Sequence, residues 1–323
     1  MYKVIMVPTD GSGFDREAIR VALRMAERCD AKIRLVRVLA TGSFFGASGT
    51  PDGTPIAPDL ARSERDKALS ELYSLAAECR TTSKADISVD LHAGPVNDVL
   101  QGYARRNDVD LIVISTHARS GISRLSLGSV TDSLIRHTTI PVLVVKPSTS
   151  YLNPQVREVF RRILVPLDGS TLAEQILPRV LMLASLEDAE ITLLNVLVPQ
   201  SYSQKEIVDP SLPWWDKDIA AAQAYLFRIA GKLRRSGVLV TTDIVISENI
   251  AGAIGDFANR EKANLIAIAT HGRGGLNRML HGSVADAIMH SARISMLVFK
   301  PDKTAEQEIV SSPLIGKADL MPA

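Results

Sequence analysis

Cysteine is nearly absent from this chain of 323 residues, which contains two, Cys29 and Cys79. Two cysteines without a second pair provide neither a four-cysteine metal site nor a disulfide framework. We expect both to pack in helices, with a redox pair as the alternative. An excess of charge of one sign is also lacking, because 37 lysines and arginines balance 36 aspartates and glutamates. This balance excludes the strong basic field of a typical nucleic-acid-binding protein.

Long hydrophobic runs are missing as well. The longest apolar runs, such as VDLIVIS at 109–115 and NLIAIA at 264–269, are far shorter than the roughly 18 residues that a membrane span needs. They are typical of buried strands. The N-terminal stretch MYKVIMVPTDGS reaches Pro8 and Asp10 at once and lacks a small-residue cleavage pattern. We therefore expect a cytoplasmic protein with neither a membrane nor a nucleic acid as partner.

An internal repeat organises the chain. A shift of 158 residues places VPTDGS at 7–12 on VPLDGS at 165–170, and a shift of 154 places GSV at 128–130 on GSV at 282–284. The change of shift falls between these blocks, where loops tolerate insertions. The repeat predicts one domain over 1–147 and a second domain over 160–302. A linker over 148–159 is expected between them, and a mobile tail over 303–323.

Each copy alternates predicted strands with predicted helices. The apolar spacing predicts helices over 15–29, 59–79, 96–107 and 129–137 of the first copy, and the second copy repeats the order from Arg162 to Pro301. Alternation of this kind, with several continuously apolar strands, predicts a parallel sheet covered on both faces. In the second copy, a predicted loop over 199–218 carries Trp214 and Trp215. These tryptophans either clamp a base or a partner, or belong to a loop that folds back onto its own sheet.

One glycine-punctuated phrase occurs twice, THARSGISRLSLGSV at 116–130 and THGRGGLNRMLHGSV at 270–284. Each copy runs from a predicted buried strand to the start of a predicted helix, where exposed amides form a natural phosphate site. The alternative is a capping box, in which Ser129 and Ser283 only start their helices. No Gly-Lys-Ser/Thr follows, and no dinucleotide fingerprint follows the first strand. Both absences argue against a standard NTPase and a dehydrogenase.

The VPTDGS and VPLDGS ends of the first strands, together with Gly-x9-Gly-Ser before the last helix, resemble the universal stress protein family. Over nearly its whole length, the chain is similar to a tandem member of that family. The resemblance implies an α/β fold of two doubly wound, Rossmann-like, open parallel five-stranded sheets in the strand order 3-2-1-4-5. A nucleotide would lie at the topological switch point. The apolar last strands, PVLVVKP at 141–147 and SMLVFKP at 295–301, predict an intramolecular pseudo-dimer.

The resemblance also implies which positions bind the ligand. Family members that bind ATP carry Gly-x2-Gly-x9-Gly-Ser/Thr. The second copy has alanine at the first of these positions, and its nucleotide-binding set is Asp168, Val196, Ala269, His271, Gly272, Arg273, Gly282, Ser283 and Val284. The first copy lacks two of the glycines, and its weaker set is Asp10, Val38, Ser115, His117, Ala118, Arg119, Gly128, Ser129 and Val130.

Several of these residues have two interpretations. The resemblance places Asp10 and Asp168 beside adenine or ribose, although an aspartate in Asp-Gly-Ser also caps its own turn. The arginines of the two loops either bind phosphate bidentately or point to solvent. The two loop histidines either donate to phosphate or stabilise their loops.

The sequence thus predicts a stress-associated regulatory protein that binds ATP or a related adenine nucleotide, with Mg²⁺ as an optional companion. The second domain is expected to bind more tightly. No residue stands out as catalytic, and no protein metal site is expected. Two alternatives stay open, namely an interaction scaffold without nucleotide and a slow ATPase, which needs a water-activating base and a metal. A further homodimer and the protein partner are left open.

Overall fold

The structure is a computed structural model that describes residues 1–40, 58–116, 128–146, 159–199, 214–270, 283–291 and 294–301. The elements of the first half are β1 (Val4–Thr9), α1 (Arg16–Cys29), β2 (Lys32–Leu39), α2 (Pro58–Thr82), β3 (Asp86–Ala93), α3 (Val96–Arg106), β4 (Leu111–Ser115), α4 (Ser129–His137) and β5 (Val142–Val145). Those of the second half are β6 (Arg162–Pro166), α5 (Thr171–Glu174), α6 (Leu177–Glu187), β7 (Glu190–Leu197), α7 (Trp214–Arg234), β8 (Val240–Ile246), α8 (Ile250–Arg260), β9 (Leu265–Ala269), α9 (Ser283–Ser291) and β10 (Ser295–Phe299).

All ten strands form one sheet in the order β3-β2-β1-β4-β5-β10-β9-β6-β7-β8. Within each half the strands are parallel and follow the order 3-2-1-4-5, which confirms the predicted fold. The halves meet where β5 pairs antiparallel with β10, with Leu143 opposite Leu297. This pairing gives each last strand a hydrogen-bonded neighbour on both sides, so neither is an open edge.

Helices cover both faces of the sheet. One buried cluster packs α1, α2, α6 and α7 against residues such as Ile5 and Val7. The other packs α3, α4, α8 and α9 against the opposite face, which includes Met6. Each cluster contains residues from both halves, and all five residues of β4 are buried because helices lie on both sides of it. Among the helices of the described ranges, none is long and apolar enough to cross a bilayer.

Charged side chains also join the halves beside the β5–β10 pair. The Lys146 ammonium lies 3.5 Å from the Met289 carbonyl at the end of α9, and Lys300 donates to the Arg136 carbonyl of α4 at 2.6 Å. Arg136 also contacts Asp286 of the other half at 3.5 Å. A cation at the carboxyl end of a helix interacts favourably with the helix dipole. Lys146 of the first half and Lys300 of the second half therefore stabilise the same junction, each by contacting a helix of the other half.

The first helix of the second half differs from its counterpart. The sequence predicts one continuous helix in both copies, but the second copy has α5 and then α6 with a break at 175–176. Pro178 stands where α1 has Arg20, and a proline has no N–H to donate to the carbonyl of Glu174. The proline ring of Pro178 therefore accounts for the break between α5 and α6.

The helix after the second strand of the second half begins earlier than predicted. Trp214 and Trp215 lie in the first turn of α7 and not in a loop. Asp216 follows them, and an acidic residue in a first turn is favoured by the helix dipole.

Both cysteines are free, as the packing interpretation requires. Cys79 is a buried residue of α2. Cys29 lies at the end of α1 with its thiol 3.1 Å from the Met25 carbonyl. Burial raises the pKa of both thiols. A raised pKa keeps the thiol protonated and less reactive.

Candidate functional site

The strongest candidate site lies where β1 and β4 are neighbours but lead to helices on opposite faces. This is the topological switch point of the first half, where open α/β sheets bind ligands. A cavity of about 370 Å³ opens there at the carboxyl ends of the two strands. Its size falls within the range of roughly 300–1,000 Å³ that is typical of small-molecule pockets. We call it the switch-point cavity.

One end of the switch-point cavity is apolar. Val36 and Val38 of β2 form one wall, and Val96 and Leu100 of α3 form another. These positions belong to the core on the α3 face of the sheet, so the wall is held by packed neighbours. Such a surface is suited to a flat, weakly polar group such as a purine base.

The other end of the switch-point cavity is polar and belongs to the start of α4. Gly128 is the N-cap of this helix, and Ser115 and Ser129–Thr131 line the cavity beside it. The first turn of a helix leaves backbone N–H groups without intrahelical partners, and here the first intrahelical bond runs from the Asp132 amide to the Gly128 carbonyl at 2.9 Å. The amides before it are available to an anion, which the helix dipole also attracts.

The capping-box interpretation of this phrase is wrong for the first copy. α4 begins at Ser129, so the N-cap is Gly128, and no side chain makes a capping hydrogen bond there. Asp132 instead contacts Arg136 at 2.8 Å, one turn further along. The Ser129 hydroxyl is therefore not used to start the helix. The corresponding side chain of Ser283 lies outside the described residues.

Gly128 is not required by the backbone of the first half. Its φ is −57°, a value open to any residue. A Cβ added at this position would have Thr131 Oγ1, 4.0 Å away, as its nearest neighbour. Neither the backbone angle nor the packing around Gly128 requires a glycine. The absence of a side chain there mainly keeps the cavity open next to the helix amides.

The aspartate of each Asp-Gly-Ser turn does cap its turn. Asp10 Oδ1 accepts from the Ser12 amide at 2.8 Å, and Asp168 Oδ1 accepts from the Ser170 amide at 2.9 Å. The intervening Gly11 has a φ of +77°, in the left-handed region that favours glycine. Asp10 also lines the switch-point cavity, so the capping role and a ligand-facing role are compatible.

Sequence reasoning missed a buried polar pair in this cavity. Thr9 ends β1, Asp15 precedes α1, and the Thr9 hydroxyl donates to Asp15 Oδ2. Asp15 is only 3% exposed and lines the cavity. The second copy has Leu167 and Ala173 at these positions. A comparison of the two copies at the ends of their first strands would have revealed the difference.

The structure thus brings part of the predicted site together. In the first half the described members that line one cavity are Asp10, Val38, Ser115, Gly128, Ser129 and Val130. In the second half, Asp168 and Val196 line a different pocket next to α7, whereas Ala269 ends β9 and Val284 lies in the first turn of α9. The remaining predicted members lie outside the described residues: His117, Ala118, Arg119, His271, Gly272, Arg273 and Gly282.

Within the described ranges, no group of three or more histidine, cysteine, aspartate or glutamate side chains could hold a metal ion. Asp10 and Asp15 both line the switch-point cavity. Two carboxylates are fewer oxygen ligands than Mg²⁺ takes, and Mg²⁺ is usually completed by water and substrate phosphates. A magnesium ion at this cavity would therefore accompany a nucleotide.

Comparisons with known proteins agree with this architecture. The model of the universal stress protein family matches residues 1–146 and 160–300. A universal stress protein of Methanocaldococcus jannaschii is 32% identical over 146 residues, which are 45% of this chain and 83% of that protein. One of Mycobacterium tuberculosis is 25% identical over 294 residues, 90% of this chain and 95% of that protein. A solved universal stress protein from Archaeoglobus fulgidus has the same fold, with a TM-score of 0.67 at 17% identity over 93% of this chain and 97% of that one.

Proposed function

Because the chain belongs to the universal stress protein family, we propose that it is a stress-associated regulatory protein that binds ATP or a related adenine nucleotide. The observation that carries this proposal is the switch-point cavity. It has an apolar wall at one end and the amides of the α4 N-terminus at the other. A nucleotide has the same division, with a base at one end and phosphates at the other.

In this proposal, each part of the nucleotide contacts different residues of the switch-point cavity. Val36 and Val38 contact the base, and Asp10 accepts a hydrogen bond from the ribose or from the adenine amino group. The Ser129 hydroxyl and the first amides of α4 donate to phosphate oxygens. Arg119 would add a guanidinium for the outer phosphates.

In our proposal the second domain binds the nucleotide more tightly. Its loop has Gly272 where the first domain has Ala118, and a glycine allows either a left-handed backbone or a close approach of phosphate. The second domain also has Ala173 in place of the buried Asp15. The first domain therefore holds one more negative charge beside the ligand, which opposes phosphate binding.

Regulation by occupancy is the role that we assign. Nucleotide bound at the ends of the strands would change the surface presented to a partner. The cytoplasmic location predicted from the sequence belongs to the same proposal.

Native mass spectrometry of freshly purified full-length protein tests the function. We expect the chain to retain one or two molecules with the mass of AMP, ADP or ATP. Addition of ATP should raise the occupancy to two, whereas GTP at the same concentration should not. A chain that copurifies without nucleotide and takes up none from added ATP would instead fit the scaffold alternative.

We also propose that the halves form a stable pseudo-dimer through β5 and β10. If a protease site is inserted within residues 148–158 and cut, we expect the two fragments to elute together in size-exclusion chromatography. The expectation rests on the backbone ladder from Val142 to Val144 and on two cores shared between the halves. A cut variant with Val144→Asp, which places a charge at a buried interface position, is the matched control and should separate. Separate elution of the unsubstituted fragments would contradict the proposal.

A further inference from the structure

A second pocket lies in the second half, on the face of the sheet opposite α8 and α9. It has a volume of about 520 Å³ and opens between the carboxyl end of β7 and the helix α7. Asn195, Ala222 and Tyr225 are among the residues that line it. We call it the α7-face pocket. It is distinct from the switch-point cavity, whose equivalent in this half would lie between β6 and β9.

Asn195 presents an unused hydrogen-bond acceptor to the α7-face pocket. The side chain is 7% exposed, and its Nδ2 donates to the Leu167 carbonyl at 2.7 Å. Its Oδ1 is buried and has no hydrogen-bond partner within the described residues. The Tyr225 hydroxyl is also buried, and burial together with the neighbouring Glu174 carboxylate raises its pKa. Because a buried polar atom without a partner is costly, a donor on a ligand would relieve that cost.

The first half has an ion pair at the same place. Arg37 and Glu71 occupy the positions equivalent to Asn195 and Tyr225, and their side chains are 2.8 Å apart. A Cβ on Gly11 would come within 2.8 Å of the Arg37 guanidinium, whereas one on the equivalent Gly169 would meet no described atom within 4 Å. The two copies therefore differ at this place: the first has a smaller pocket of about 310 Å³ that the ion pair lines, and the second has a larger one without an ion pair among its described lining residues.

The charges of the α7-face pocket select against anions. Asp168 and Asp218 line it, and no lysine, arginine or histidine does so among the described residues. The guanidinium of Arg228 pairs with Glu174 at 3.3 Å and lies 5.3 Å from the centre of the Tyr225 ring. Two carboxylates without a lining cation attract a positive group and repel phosphate.

The mouth of the α7-face pocket is apolar. Val198 and Ile246 are 44% and 50% exposed and line its entrance, and Leu197 lies beside them. Exposed aliphatic side chains around a pocket favour a ligand that brings hydrocarbon with it.

We propose that the α7-face pocket binds a small organic amine, with its ammonium group donating to Asn195 Oδ1 in the field of Asp168 and Asp218. The hydrocarbon part of the amine contacts Val198 and Ile246. The site adjoins the predicted nucleotide site of this half, with which it shares Asp168 and Val196. Its acceptor, Asn195, does not belong to the nucleotide-binding set.

Hexylamine and hexanoate are the probes, since they share a hydrocarbon chain and carry opposite charges at neutral pH. In calorimetry with the full-length chain we expect hexylamine to bind at one site per chain and to bind at least tenfold more tightly than hexanoate. The double substitution Asn195→Arg with Tyr225→Glu copies the first domain. It should lower hexylamine affinity at least tenfold and leave ATP binding unchanged.

Asp218→Asn is the second variant. It changes an exposed side chain and is not expected to disturb folding, and it should weaken hexylamine binding severalfold. Phe227→Ala, at an exposed position of α7 away from the pocket lining, is the matched control and should have no effect. The proposal is overturned if the full-length chain binds neither probe, if it binds both equally, or if a folded Asp218→Asn chain binds hexylamine as the parent does. Because ATP binding is measured on the same samples, failure here is distinguishable from failure of the proposed nucleotide function.

Discussion

Replacing Gly128 by valine is expected to abolish nucleotide binding in the first domain while the chain stays folded. The valine would extend into the switch-point cavity beside Ser115 and Ser129, where the phosphates are proposed to lie. Folding should survive because the φ of −57° suits valine and because the nearest atom to the new Cβ is 4.0 Å away. The expected change is the loss of the weaker of two ATP-binding events, a decrease in affinity of a hundredfold or more at that site.

Calorimetric titration of the full-length chain with ATP measures this change, and circular dichroism checks the fold. Gly231→Val is the matched control, because Gly231 lies in α7 with no neighbour within 4 Å of an added Cβ. Helix propensity favours valine over glycine by well under about 1 kcal/mol, so this change should not destabilise the helix. If a folded Gly128→Val chain binds two ATP molecules with unchanged affinities, the phosphates do not lie at the start of α4.

The architecture could be predicted because it depends on patterns that repeat along the chain. Continuous apolar runs such as 109–115 identify strands buried on both faces, and the helical spacing between them requires crossovers. The doubled Asp-Gly-Ser and Gly-Ser-Val phrases mark the carboxyl ends of strands. The strand order, and with it the switch point, is implied by the resemblance to the universal stress protein family. On that basis the clustering of Asp10, Val38 and Gly128 could be expected in advance.

Other features depend on contacts that periodicity does not encode. The Thr9–Asp15 pair joins two residues across a turn, and each is ordinary in the sequence alone. The capping box failed because Gly128 and Ser129 are both acceptable N-cap residues, and the backbone geometry chooses between them. The larger size of the α7-face pocket arises from a difference between copies, since the uncharged Asn195 and Tyr225 cannot form the ion pair of Arg37 and Glu71. Its detection requires the register of α2 and α7, which the intervening loops obscure.

The asymmetry between the copies leads to the second large effect. Exchanging the polar pair of the first domain for that of the second, Thr9→Leu with Asp15→Ala, is expected to strengthen ATP binding in the first domain by on the order of tenfold. Asp15 is buried and lines the cavity, so its negative charge is poorly screened and acts against bound phosphates. Removing both partners together avoids leaving either the carboxylate or the hydroxyl buried without its hydrogen bond.

The measurement requires the first site alone, so it is made in a full-length chain that also carries Gly282→Val, the equivalent of Gly128→Val in the second domain. ATP affinity is compared with and without the exchange, and adenosine serves as the matched ligand without phosphate. If Asp15 acts through its charge on phosphate, the gain appears for ATP and is absent for adenosine. The single variant Asp15→Asn, which removes the charge at nearly constant size, should give most of the gain. A loss of affinity for both ligands would contradict this account, because it would mean that the Asp15 carboxylate accepts a hydrogen bond from the nucleoside itself.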